Sequence, residues 1–67
     1  MKQTYWHPFH EEDMVLSTNG STGLVFIGRE LFFLGSKQKA IDYFNKEVAR
    51  VEFVYAMIRI RYGKPVL

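Results

Sequence analysis

Two histidines and three carboxylates fall within seven residues, His7-Pro8-Phe9-His10-Glu11-Glu12-Asp13. Imidazole nitrogens and carboxylate oxygens are the donors that hold zinc and other divalent ions. This spacing matches no closed structural site, and one short segment rarely aims three ligands at one ion. The reading adopted is a solvated acidic arm, so no metal is assigned.

Three further stretches could carry chemistry. Ser17-Thr18-Asn19-Gly20-Ser21-Thr22-Gly23 is rich in glycine and hydroxyls. It lacks the Lys-Ser/Thr ending of a phosphate-binding loop and reads as a hairpin loop. Leu34-Gly35-Ser36-Lys37-Gln38-Lys39 lies where a strand should hand over to a helix. Free backbone N–H groups at such a start attract anions, while Lys37 and Lys39 in the first turn oppose the helix dipole. Ser36, Lys37 and Lys39 are therefore a candidate anion-binding set. Phe53, Tyr55, Met57, Arg59 and Arg61 would line one side of an extended segment. Aromatics, methionine and arginine are enriched at protein interfaces, so these five are the candidate partner-binding row. Aromatics beside arginines also stack bases and hold phosphates.

No catalytic residues are assigned. The chain has no cysteine, its serines sit in loops without a histidine–carboxylate team, and its adjacent carboxylates lie only in the arm. No cofactor is expected.

Length and composition set the frame for these residues. Sixty-seven residues make a single domain, 1–67. So small a chain buries only about 60% of its unfolded surface, so disulfides, metals or oligomerisation usually assist. Without cysteine and with two histidines, oligomerisation is the remaining staple. Hydrophobic residues at 48% and aromatics at 16% argue against disorder. No apolar run approaches the ~20 residues of a membrane span, and the first residues show no apolar signal-peptide core. The expectation is a cytoplasmic protein with no membrane association. Charge is polarised: residues 1–13 hold one lysine and three acids, whereas residues 53–67 hold Arg59, Arg61 and Lys64 with no acid. An acidic head and a basic tail can bind anions or pair head to tail with a second copy.

The elements that must position these residues follow from periodicity and turn chemistry. Residues 1–13 read as an irregular N-terminal arm carrying Tyr5, Trp6 and Phe9, with Pro8 disfavouring helix at His7. Strands are expected at Met14–Ser17, Leu24–Ile27 and Leu31–Leu34, the last two apolar on both faces. Asn19-Gly20 suits a type I′ turn, and Gly28-Arg29 a type II′ turn. Ser36 should cap a helix ending near Ala49 or Arg50. Its stripe of Ile41, Phe44 and Val48 should lie on the sheet, with Asp42 and Lys46 paired outside.

Val51–Tyr62 is rich in β-branched and aromatic residues and alternates as a strand would. The resulting fold is α+β: a small, mostly antiparallel sheet with one helix on one face, in the order βββαβ, the last strand central. An alternative remains open. Ile41, Phe44, Val48, Val51, Tyr55, Ile58 and Tyr62 follow an unbroken 3-4 spacing, with no Gly or Pro before Gly63 and Pro65. Hairpins followed by one long C-terminal helix with a coiled-coil-like seam would satisfy it, but the β-former content and the Ile-Arg-Ile-Arg-Tyr alternation favour the strand.

Under either order the sheet has two apolar faces and one helix to cover them. The function expected is that of a small non-enzymatic binding protein. It would work through protein–protein contact, as a homodimer or as a regulatory inhibitor or adaptor docked on a larger protein. The alternative is a nucleic-acid-binding module using Arg59, Arg61 and Lys64 with Lys37 and Lys39.

Overall fold

Residues 2–7 alternate Lys2, Thr4 and Trp6 against Gln3, Tyr5 and His7, and this period-two pattern builds a strand, β1 (Lys2–His7). The computed structural model, which describes residues 1–61, continues with β2 (Glu12–Asn19), β3 (Thr22–Ile27), β4 (Glu30–Ser36) and one helix, α1 (Lys37–Arg61). The four strands form one antiparallel meander in the order β1-β2-β3-β4. The α+β class, the antiparallel sheet and the single helix on one face are as expected, and the chain adopts the order with one long C-terminal helix.

The other order needs correction at both ends. The arm 1–13 is not irregular: Tyr5 pairs with Met14 and His7 with Glu12. The fourth strand therefore comes from the N-terminus, and the central strands are β2 and β3. Residues 51–61 are helix. Nucleation is the costly step of helix formation, and each added residue then gains a hydrogen bond. With no glycine or proline to stop it, the helix anchored by residues 40–51 runs through the β-formers to Arg61. Tyr62, Lys64 and the stop at Gly63 and Pro65 lie outside the described residues.

Turn chemistry sets the hairpins. Asn19 pairs with Thr22, so the first loop is Gly20-Ser21, one residue later than Asn19-Gly20. Gly20 alone takes positive φ there, 64°, the pattern of a II′ turn instead of I′. Ile27 pairs with Glu30, and Gly28, at φ 62°, leads the II′ turn its sequence specifies. Between β1 and β2 the chain turns through residues 8–11, closed by the Glu11 N–H donating to the His7 carbonyl at 2.8 Å. On β4, Val25 faces Phe33 and Phe26 faces Leu31, which leaves Phe32 as a bulge.

The core lies between the helix and the inner sheet face. Met14, Leu16, Val25, Ile27, Ala40 and Phe44 are buried together, with Tyr5, Phe33, Ile41, Tyr43 and Val48 packed around them. Ser36 caps the helix, accepting from the Lys39 N–H at 3.3 Å. Asp42 accepts from the Gln38 amide at 3.1 Å and forms no ion pair with Lys46 among the described residues. The helix starts so close to β3 that a Cβ on Gly23 would collide with the Ala40 Cβ. It then crosses the sheet diagonally, reaching Tyr5 and His7 on β1 through Glu52 and Glu47.

Candidate protein-interaction surfaces

Val51 is the last fully buried residue of α1. Beyond it, Phe9 from the β1–β2 loop meets Tyr55, ring centroids 5.6 Å apart, and the sheet ends. Twenty-five helical residues span about 37 Å, whereas the eight residues of β2, the longest strand, span about 27 Å. The last turns of α1 therefore project. Phe53 is 66% exposed and Ile60 78%, and Met57 and Ile58 are exposed with them. At 100° per residue, Phe53, Met57 and Ile60 lie on one side, and Tyr55 and Ile58 continue the core-facing side. A helix apolar on all sides is one that expects to be buried.

The second surface is the outer face of the sheet. Strand alternation sends Tyr5, His7, Met14, Leu16, Val25 and Ile27 inward, and so turns Trp6, Val15, Leu24, Phe26, Leu31 and Leu34 outward. Trp6 is 58% exposed and Leu34 61%. With the N-terminal segment built into the sheet as β1, no arm crosses this face among the described residues. Adjacent large apolar groups on an open sheet make this face a candidate interaction surface.

The candidate row Phe53, Tyr55, Met57, Arg59 and Arg61 is on the projecting helix, so it is not one row. Phe53, Met57 and Arg61 share a side, and Tyr55 and Arg59 share the opposite one. Ile58 and Ile60 complete the surface; Ile58 continues the 3-4 spacing from Ile41, whereas Ile60 joins Phe53 and Met57 on the other side. The outer-face residues Trp6, Leu31 and Leu34 follow from strand alternation alone.

The anion set stands apart. The Ser36 hydroxyl is taken by the Lys39 N–H, and the Lys37 N–H donates to the Ser21 carbonyl at 2.8 Å. Two of the amides an anion would use are thus engaged. Lys37 and Arg59 are about 33 Å apart along the helix, so the lysines and arginines form no single basic patch.

The histidines divide. His7 is fully buried at the end of β1. Its Nδ1 accepts from the His10 backbone N–H at 3.3 Å, so Nε2 carries the proton and donates to Glu47 Oε2 at 2.7 Å. Arg50 grips the same carboxylate, Nη2 to Oε2 at 2.7 Å and Nε to Oε1 at 3.1 Å. The Arg50 hydrogen bonds, helped by the His7 one against partial burial, lower the Glu47 carboxyl from 4.5 to about 2. Beside it, burial and the hydrogen bond to Glu52 at 2.9 Å push the Tyr5 phenol upward. The His10 ring stacks edge-on against His7 and Phe32. Among the described residues no three histidine or carboxylate side chains converge as a metal site. The His7–Glu47 pair ties the sheet to the helix where the helix leaves it.

No helix among the described residues is long and apolar enough to cross a membrane. Comparison with protein-family models, with curated proteins and with solved structures finds no match.

Proposed function

We propose that the chain is a small non-enzymatic binding protein that works through protein–protein contact. The observation that carries this reading is the helix segment 53–60, apolar on both sides apart from Arg59, standing clear of the sheet. A stable monomer gains nothing from such a segment, since it adds apolar surface to water at roughly 25 cal/mol per Å² without adding core. The outer sheet face supports the same reading, because it offers a rigid apolar platform on the opposite side of the molecule from α1. A cytoplasmic setting belongs to this proposal and accords with a chain that has no cysteine.

Site-specific photo-crosslinking in cells tests it. A photoreactive residue replacing Phe53, and separately one replacing Leu34, should each yield a discrete protein adduct. A photoreactive residue replacing the exposed Asn45 should yield none. Absence of adducts at both apolar positions, or adducts to nucleic acid instead of protein, would defeat the proposal.

A further inference from the structure

We propose that the partner is a second copy of this chain, with the projecting helix of each copy laid across the outer sheet face of the other. The inference rests on the protein-contact reading and specifies its occupant.

Chain direction supplies the first argument. β1 and β3 end, and β2 and β4 begin, at the same edge of the sheet, the one nearest the 8–11 loop. α1 leaves the sheet over that edge, past Phe9. The outer-face residues nearest that edge are Trp6, Phe26 and Leu31. The free helix and an apolar platform thus sit at one end of the molecule, on opposite faces of the sheet. A two-fold axis just beyond this edge places two sheets end to end with their helices on opposite sides. Each overhang then lies over the other copy's outer face, and both contacts are the same contact, as an isologous dimer requires. The outer face receives a helix as the inner face already does.

Charge supplies the second. Asp13 pairs with Trp6 in the register, so it projects from the outer face at this same edge. It joins none of the ion pairs among the described residues. Glu11 lies two residues before it, in the 8–11 loop at the same edge. The overhang carries Arg59 and Arg61 and no acid after Glu52. Laying one copy's overhang on the other's platform brings the arginines to the acidic edge, twice per dimer. Two like overhangs packed side by side would gather four arginines instead.

A charge-swap experiment on the full chain tests the arrangement. Sedimentation velocity should show wild type as a dimer at micromolar concentration. Asp13→Arg alone, and Arg59→Asp with Arg61→Asp together, should each weaken the dimer by at least about tenfold through like-charge contacts. Mixed one to one, the two variants should re-form a dimer as tight as wild type, because every arginine again meets an aspartate. Circular dichroism of each variant should match wild type, since all three positions are exposed. A monomeric wild type overturns the inference and leaves the protein-contact reading to the crosslinking adducts. A wild-type dimer whose variants are unaffected, or are not rescued by mixing, overturns this geometry while self-association stands.

Discussion

His7, sealed inside the sheet–helix interface, donates to Glu47 Oε2 across 2.7 Å, joining residues forty positions apart. Removing the carboxylate leaves the imidazole N–H buried and unpaired, and an orphaned buried donor costs about 1–3 kcal/mol. Glu47→Ala should therefore lower unfolding stability by that amount. Arg50→Ala, whose guanidinium is exposed, should cost less. Urea denaturation of the two variants compares them directly.

The same carboxylate makes stability depend on acid. Its folded value lies near 2, against 4.5 for the free group. The folded state thus binds fewer protons than the unfolded chain between these values. The stabilisation is complete above about pH 5 and is lost as pH falls toward 2. Denaturation midpoints measured across this window should fall with acid for wild type. Part of that slope should vanish in Glu47→Gln, which cannot ionise.

Gly23 decides how closely the helix approaches β3. A methyl at this position collides with the Ala40 side chain and comes within 3.3 Å of the Lys37 Cα. Gly23→Ala should destabilise by about 1–3 kcal/mol, the usual range for overpacking. Ala40→Gly combined with it should recover part of the loss, less the helix-propensity penalty of about 1 kcal/mol. Thermal melts of the two single variants and the double one measure the coupling.

Ser36 caps a helix whose first turn contains two lysines and no acid. Ser36→Ala should cost about 1 kcal/mol. Lys37→Glu should raise the melting temperature modestly, since a negative charge there favours the dipole.

At concentrations where the chain is monomeric, amide exchange should divide the helix. Residues 40–51 should be protected through their contact with the sheet, and residues 53–61 should exchange far faster. Uniform protection along α1 in the monomer would contradict the projecting segment.

Much of this architecture was legible in the residues. Gly28-Arg29 specified its turn, Ser36 its cap, and Ile41, Phe44 and Val48 the side of the helix that meets the sheet. The two-sided character of Leu24–Ile27 and Leu31–Leu34 announced an uncovered face. β1 was harder to see because it is an edge strand. Lys2, Gln3 and Thr4 bury little, so no apolar alternation marks its first half. The helix past Val51 was ambiguous for a different reason: Val, Ile, Tyr and Phe satisfy both periods, and only continuity with an anchored helix decides. The His7–Glu47 bond had no local signal at all, since it exists only once β1 and α1 are brought together.

Every strand of the meander pairs with its neighbour in the chain, through loops of two or four residues. Closing such short loops takes tens of nanoseconds, and folds rich in local pairings form quickly. Synthesis delivers the four strands in their order of pairing and the helix last. Until α1 docks, Met14, Leu16 and Val25 on the inner face of the sheet have no cover. A chain truncated before residue 37 would thus be left with a sheet bare on both sides, its most aggregation-prone form.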